Sequence, residues 1–257
     1  MDQKLTHAPL VEAIIEIRWK LEEPQPGLFV DPKYKILVGR LYDRFAKDYP
    51  FHEPLPTASM PDEMLAYTVQ HRFRVENEKW PLVQVGPGIV TFNDTGKYSW
   101  DNNFEQHASK LMSTLFETYP DAKKSLKISG IQLRYIDAIE FNFSKDDIFS
   151  FMKDKLKVKL SFPDELFNNS PIESLPKGIN TLFSFPTTNP VGTLLLRFAN
   201  GNHNKAEALI WETVVQSNQS ELPEMPTKFN EWLNSAHDLT HDMFFKLIKG
   251  SLEEAFR

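Results

Sequence analysis

Two stretches decide the fold of this chain: Val11-Glu12-Ala13-Ile14-Ile15-Glu16-Ile17-Arg18-Trp19 and Ile131-Gln132-Leu133-Arg134-Tyr135-Ile136-Asp137-Ala138-Ile139-Glu140-Phe141. In the first stretch, apolar side chains alternate with polar ones. A period of two with one apolar face predicts a half-buried β-strand. The second stretch predicts a longer strand of the same kind, within residues 128–143. Each predicted strand opens one half of the chain, and a similar order of elements follows both.

In the first half, a helix, short strands and a longer helix follow the opening strand. Asp31-Pro32 predicts the start of the first helix, with Asp31 as its N-cap and Pro32 at its first position. The proline-rich residues 51–66 are predicted to form a loop. The strands that follow are predicted at 68–75, 81–85 and 88–92. The spacing of apolar residues then predicts a second helix over 103–118.

The second half repeats this order. Asp146-Asp147 predicts the start of a short helix over 148–156, because carboxylates favour the N-terminal turn of a helix. Further strands are predicted at 180–185, 193–199 and 207–216. The last helix is predicted to run without a break from Thr227 to Phe256. The repeated order divides the chain into two similar α+β halves, residues 1–125 and 126–257, of which the second ends in this long helix.

The predicted fold class is therefore α+β, with one or two curved antiparallel sheets and helices on one face. Strand–helix–strands–helix, twice over, is the element order of the TATA-binding-protein-like saddle. This analogy concerns the fold alone and gives no reason to expect DNA binding. A duplicated unit forms a saddle or cleft at its pseudo-symmetry axis, and ligands favour such junctions.

Composition excludes several classes of site. The chain has no cysteine, so disulfides, cysteine nucleophiles and thiolate metal sites are absent. Its formal net charge is −6, and each half carries −3. Binding to a phosphate backbone needs clustered lysine and arginine, so the bulk charge disfavours nucleic acid. No signal-peptide pattern and no run of about 20 apolar residues is present, so we expect a cytoplasmic protein without a membrane span.

Arginines in the predicted strands are the candidate binding residues. Arg18 and Arg134 hold comparable positions in the two halves, and both point away from the predicted helix layer. If the halves pack side by side, such guanidinium groups converge on a polar surface that suits a phosphate, a carboxylate or an acidic segment. The full candidate set is Arg18, Arg72, Arg74, Gln132, Arg134 and Arg197. The alternative is that these arginines pair across the sheet with Glu12, Glu16, Glu140 and Glu212.

His237 and His241 lie four residues apart in the last predicted helix, a spacing that suits zinc. Asp238 stands where a zinc protease has glutamate, and no third ligand follows. The alternative is two polar residues on an amphipathic helix. The chain has neither the Gly-x-Ser-x-Gly elbow nor the phosphate-binding loop pattern, and we predict no cofactor.

Five further segments carry a resemblance that spans nearly the whole chain. They are Ala8–Ala13 with Glu16-Ile17-Arg18, Leu82–Gly88, Tyr98-Ser99-Trp100, Leu133–Asp137, and Ala236–His241 with Phe245 downstream. With these segments the chain resembles a sporadically distributed family of uncharacterised bacterial and archaeal proteins of similar length. The family pattern has Asn where Asp137 stands and an acidic residue where Lys246 stands. Its patchy distribution implies mobile genes, such as phage-defence or toxin–antitoxin loci.

These observations predict a non-enzymatic binding protein: a sensor, an antitoxin-like protein or an accessory subunit of a defence-type system. We expect its partner to be a protein encoded nearby or a small anionic ligand, and self-association stays open. Two alternatives also stay open. One is a nucleic-acid-binding protein that uses the sheet face, and the other is a metal- or histidine-dependent hydrolase that uses His237 or His241.

Overall fold

A computed structural model describes residues 5–95 and 98–257, except for the side chain of Glu63. The predicted α+β class is confirmed: the described chain contains a large antiparallel sheet of nine strands and six α-helices. The strands are β1 (Leu10–Trp19), β2 (Glu22–Gln25), β3 (Leu28–Val30), β4 (Phe51–Pro54), β5 (His71–Arg74), β6 (Leu82–Gly86), β7 (Ile89–Asp94), β8 (Ile128–Glu140), β9 (Asn180–Thr188), β10 (Val191–His203) and β11 (Ala206–Asn218). The helices are α1 (Tyr34–Phe45), α2 (Glu105–Thr118), α3 (Ala122–Ser125), α4 (Ile148–Lys155), α5 (Phe229–Ile248) and α6 (Ser251–Phe256).

The nine strands lie in the order β4-β5-β6-β7-β1-β8-β11-β10-β9, and β2 and β3 form a separate hairpin. The two strands that open the halves, β1 and β8, are antiparallel neighbours at the centre, with Ile14 opposite Arg134. On one side β1 pairs with β7, and on the other side β8 pairs with β11. Residues 1–125 and 126–257 therefore contribute to one continuous sheet.

One face of the sheet forms the core. Ala13, Ile15, Ile17 and Trp19, which alternate along β1, are fully buried there. We call this the inner face and the opposite one the outer face. Helices α1, α2 and α5 pack on the inner face, as three contacts illustrate: the rings of Tyr42 and Phe73, the rings of His107 and Phe92, and the hydrogen bond from the Trp232 indole to Ser217. Among the helices of the described chain, none is both long and apolar enough to cross a membrane.

The predicted N-cap role of Asp31 is wrong. Helix α1 begins at Tyr34 after Lys33, and no side chain caps it. Asp31 is buried, and its carboxylate accepts hydrogen bonds from the Trp19 indole at 2.8 Å and from the Tyr119 hydroxyl at 3.0 Å. Since two buried donors would otherwise lack partners, Asp31 stabilises the core. Its carboxylate also accepts from the Lys33 backbone N–H at 3.0 Å, in the turn that leads into α1.

The predicted unbroken helix over residues 227–256 is also wrong. Helix α5 ends at Ile248, and α6 begins at Ser251. Between them Gly250 has a φ of +106°, a conformation that residues other than glycine rarely adopt. The break lets both helices bury apolar side chains, including Ile248 in α5 and Phe256 in α6. A further difference is β4, which lies within the predicted loop at 51–66 and forms one edge of the sheet.

Candidate functional site

The strand register places all predicted binding residues on the outer face. Arg18 lies opposite Gly130, Gln132 lies opposite Glu16, and Arg197 lies opposite Glu212. Residues that lie opposite each other on neighbouring strands point to the same face, and so do alternate residues within a strand. Residues can therefore be assigned to the outer face on every strand from β5 to β10. The residues on this face are Arg18, Arg72, Arg74, Gln132, Arg134 and Arg197. They do not converge on one point, because β5 and β10 are six strand spacings apart, about 29 Å.

At the β5 end, two arginines share one glutamate. The Arg74 Nε atom lies 2.6 Å from a carboxylate oxygen of Glu53, and Arg72 lies 3.8 Å from the other oxygen. Arg74 also donates to the Lys79 carbonyl at 3.1 Å, and its guanidinium lies 5.1 Å from the centre of the Trp80 ring. The Arg74 side chain is only 5% exposed, so this arginine stabilises the local structure and is not available to a ligand.

From this end, side-chain hydrogen bonds continue across the outer face. Arg72 donates to the Gln84 side-chain oxygen at 2.9 Å, and Gln84 donates to Asn93 at 3.2 Å. Asn93 in turn donates to Glu12 at 2.8 Å. These bonds link β5, β6, β7 and β1, and they satisfy polar groups that the sheet half-buries.

At the centre, Arg18 and Gln132 lie beside a very small cavity. The Arg18 Nε atom lies 2.6 Å from Glu16, and its guanidinium lies 5.7 Å from the Tyr67 ring centre. The cavity, which Glu16, Arg18, Gln132, Gln216 and Asn218 help to line, has a volume of about 30 Å³. That space suits roughly one water molecule and is far smaller than a small-molecule site.

On the C-terminal side, Arg134 and Arg197 share Glu212. Their nitrogens lie 3.4 Å and 2.9 Å from its two carboxylate oxygens. The arginine side chains are 38% and 44% exposed, whereas Glu212 is 14% exposed. Ile136 and Leu195 lie beside them on the outer face and are half-buried. We call Arg134, Ile136, Leu195, Arg197 and Glu212 the Arg134 patch.

The strand residues of the outer face carry no net formal charge. The arginines are Arg18, Arg72, Arg74, Arg134 and Arg197, and the glutamates are Glu12, Glu16, Glu53, Glu140 and Glu212. Of the four glutamates proposed as pairing partners, Glu16 and Glu212 form ion pairs with arginine. Glu12 accepts from Asn93 instead. Sequence reasoning missed Glu53 because its strand was predicted as a loop.

His237 belongs to an aromatic cluster between α5 and the inner face. Its ring stacks on Trp100, with centroids 3.7 Å apart and planes 5° from parallel. The Tyr135 hydroxyl lies 3.0 Å from His237 Nδ1 and 2.8 Å from the Tyr98 hydroxyl. Burial raises the pKa of both tyrosines, so their hydroxyls stay protonated as hydrogen-bond donors.

The structure brings the predicted zinc pair together in space. His237 and His241 are neighbours, with ring centroids 5.6 Å apart. Within residues 5–95 and 98–257, no group of three or more histidine, aspartate or glutamate side chains is placed to hold a metal ion. The cluster instead brings together three segments that are distant in sequence, around Trp100, Tyr135 and His237. Spacing along the chain gives no signal for such contacts.

Asp137 lies on the inner face of β8 and is 2% exposed. Burial raises the pKa of its carboxyl group to about 8. Opposite it on β11 lies Trp211, which is also buried. The Trp211 indole N–H and the nearby Thr213 hydroxyl have no hydrogen-bond partner among the described residues. Asp137 is therefore a buried acid in a poorly satisfied part of the core.

A groove of about 690 Å³ lies away from all of these residues, between the end of α2 and the segment that follows β11. Leu126, Leu222 and Met225 give it an apolar lining, and Lys123 and Lys127 flank it. None of the six predicted binding residues lines this groove.

No model of a known protein family matches the chain, and no curated protein matches it either. A functional conclusion therefore depends on the geometry of the two sheet faces.

Proposed function

We propose that this chain is a non-enzymatic binding protein whose outer sheet face docks a protein partner. The observation that carries the proposal is the Arg134 patch, in which two half-exposed arginines share a nearly buried glutamate beside Ile136 and Leu195. Arginine is enriched in protein–protein interfaces and at their energetic hot spots, where apolar neighbours exclude water. Shared pairing with Glu212 holds the two guanidinium groups in place before a partner arrives, which lowers the entropy lost on binding.

The charge balance of the outer face favours a protein partner over a nucleic acid. Five arginines face five glutamates on its strands, so they create no continuous positive field along the sheet. Nucleic-acid binding depends on such a field because it releases counterions from phosphates. A small anionic ligand is disfavoured too, since the cavity beside Arg18 and Gln132 holds roughly one water molecule.

We also infer that the two halves are repeats. Each begins with a central strand, β1 or β8, pairs it with the last strand of the same half, and continues outward strand by strand. This order supports the analogy with the TATA-binding-protein-like saddle as a fold. The chain resembles a sporadically distributed family whose patchy distribution implies mobile genes, and this supports a partner encoded beside this gene, as in a defence or toxin–antitoxin locus.

The test compares the wild type with the double variant Arg134→Ala, Arg197→Ala, each produced at native level in the original host. We expect the double variant to capture at least tenfold less of the partner that the wild type retains, because interface arginines are frequent hot spots. The matched control is Arg44→Ala, which removes an exposed arginine from α1 on the other side of the molecule.

The readout is quantitative mass spectrometry of captured proteins, with circular dichroism to show that each variant is folded. Equal capture by a folded double variant would exclude the Arg134 patch as the docking surface. Capture that falls equally in Arg44→Ala would show a non-specific effect of charge.

A further inference from the structure

The groove between the end of α2 and the segment that follows β11 has the size and the lining of a small-molecule site. Its volume is about 690 Å³, and sites for small molecules usually measure about 300–1,000 Å³. At about 30 Å³ for each water-sized group, the groove has room for roughly 20 non-hydrogen atoms. Eight of the twelve residues that line it are apolar, which is also typical of such sites.

Both walls of this groove are held in place by the fold. One wall comprises the end of α2, α3 and the start of β8, and its Ala122 and Leu126 belong to the hydrophobic core. The other wall is formed by residues 219–226, in which Pro223 and Pro226 restrict the backbone. A ligand therefore meets a site that is already formed, and little entropy is lost in ordering it.

The charged side chains of the groove are exposed and favour an anion. Lys123 and Lys127 flank the apolar lining, and Glu117 is the one acidic residue that lines the groove within the described chain. Two positive charges and one negative charge give this lining a net formal charge of +1, although the whole chain carries −6. Neither lysine forms an ion pair with another described residue. Their ammonium groups can therefore pair with an anionic group of a ligand.

We propose that this groove binds a small amphipathic anion, an aliphatic carboxylate. Its tail lies against the apolar lining around Leu126, Leu222 and Met225, and its carboxylate pairs with Lys123 and Lys127. Charge complementarity selects this class of ligand: the lysines disfavour a cation, and the net charge of +1 matches a single carboxylate. The apolar lining disfavours an anion without a tail.

The inference goes beyond the proposed function and does not depend on it. No residue of the Arg134 patch lines the groove. The groove also offers an anionic ligand the space that the cavity of about 30 Å³ beside Arg18 lacks.

The probe for this site is dodecanoate, added to the purified chain below its micelle concentration and followed by isothermal titration calorimetry. We expect saturable binding at one site per chain. Acetate carries the same charge without the tail, and dodecyltrimethylammonium carries the same tail with the opposite charge. We expect each of them to bind at least about tenfold more weakly than dodecanoate, because each lacks one of the two kinds of contact.

Reversing the charge of the groove locates the site. Lys123→Glu with Lys127→Glu should weaken dodecanoate binding at least about tenfold and strengthen the binding of dodecyltrimethylammonium. The matched control is Lys145→Glu with Lys205→Glu, which changes the net charge equally at exposed positions beyond the far ends of β8 and β11. Since β8 has 13 residues and starts at the groove, these positions lie about 40 Å away, where salt screens their charges. The control should bind dodecanoate as the wild type does.

A second variant changes the apolar lining and leaves the charge unchanged. Met225 is half-buried in the groove, and Met225→Gln should weaken dodecanoate binding roughly three- to tenfold. Circular dichroism shows whether each variant is folded.

Three results would overturn the proposal. One is a wild type that does not bind dodecanoate, or that binds dodecyltrimethylammonium as tightly. Another is an equal loss of dodecanoate binding in the two double lysine variants. The third is a ligand-free wild type that dimerises in light scattering and loses the dimer on Lys123→Glu with Lys127→Glu, because a second copy would then cover the groove. None of these readouts uses partner capture, so they leave the test of the Arg134 patch independent.

Discussion

Leu133 and Arg134 are adjacent residues of one strand, yet they lie in opposite environments. Leu133 is fully buried on the inner face, whereas the Arg134 side chain is 38% exposed on the outer face. The inner face is covered by helices and sets the stability of the fold. The arginines of the outer face are paired with glutamates of the sheet near solvent, so we expect substitutions there to leave the fold intact.

The environments of polar side chains also differ between the two faces. On the outer face, Arg197 and Arg72 donate to Glu212 and Gln84 near solvent, whereas the Arg134 Nε atom is buried without a hydrogen-bond partner among the described residues. On the inner face, Asp137 is buried and Trp211 lacks a hydrogen-bond partner among the described residues. Burying such groups lowers stability unless they are fully paired. The two faces therefore respond differently to substitution and to pH.

The largest expected loss of stability comes from a substitution in α5, a helix that covers the inner face. Leu247 on α5 is 6% exposed, so Leu247→Asp places a charge in an apolar environment. We expect the free energy of unfolding to fall by roughly 3–5 kcal/mol, enough to prevent stable folding at 37 °C. The measurement is urea denaturation followed by circular dichroism. The neighbouring Lys246→Ala, at an exposed position, serves as control and should change stability by under about 1 kcal/mol. A Leu247→Asp variant as stable as this control would place Leu247 at the surface.

The next prediction compares the two neighbours on β8. Leu133→Ala leaves a cavity in the core and should lower the free energy of unfolding by about 2–5 kcal/mol. Arg134→Ala removes one of two arginines paired with Glu212 and should lower it by under about 1 kcal/mol. Equal losses in urea denaturation would mean that the outer face contributes to stability as much as the inner face does.

The third prediction concerns pH. The pKa of Asp137 is raised to about 8 in the folded chain, whereas its ordinary value is 3.8. Between these values the folded state binds more protons than the unfolded state, so the contribution of Asp137 to stability falls as pH rises from about 4 to 8. We expect Asp137→Asn to be roughly 1–3 kcal/mol more stable than the wild type at pH 8, with little difference at pH 4. Thermal unfolding over this range is the measurement.

A wild type and an Asp137→Asn variant with parallel stability profiles would contradict a neutral, buried Asp137.

The smallest expected losses of stability are those from substituting two arginines of the outer face. Arg74 is 5% exposed and contacts Glu53 and Trp80, whereas Arg18 is 46% exposed. We expect Arg74→Ala to lower the free energy of unfolding by about 1–2 kcal/mol, and Arg18→Ala by less than about 0.5 kcal/mol. Both are measured by urea denaturation, and the reverse order would show that exposure does not decide the role of an outer-face arginine.

The sequence predicts the sheet and its two faces well where the signal is local. Alternation along β1 and β8 identifies both central strands, and the same alternation places Arg18 and Arg134 on the face away from the helices. Period-two patterning succeeds here because one face of each strand is buried by helices.

Where contacts are distant along the chain, prediction from sequence fails. Asp31 matches an N-cap pattern, but Trp19 and Tyr119 recruit its carboxylate into the core. The stacking of Trp100 on His237 joins residues 137 positions apart and has no local signature. Glu53 was not predicted as a partner of the arginines because the nearby prolines predicted a loop. The break at Gly250 could have been predicted, since glycine is common at helix ends.

The central pair of strands also constrains how the chain can be assembled during synthesis. Ile14 on β1 pairs with Arg134 on β8, 120 positions later, so β1 leaves the ribosome long before its neighbour exists. Strand pairs such as β6 with β7 and β10 with β11 are close in sequence and can form early. The joining of β1 to β8 then waits until most of the polypeptide has been made. Until then the side of β1 that faces β8 in the finished sheet has no partner strand, and unpaired strand edges of this kind make folding intermediates prone to aggregation.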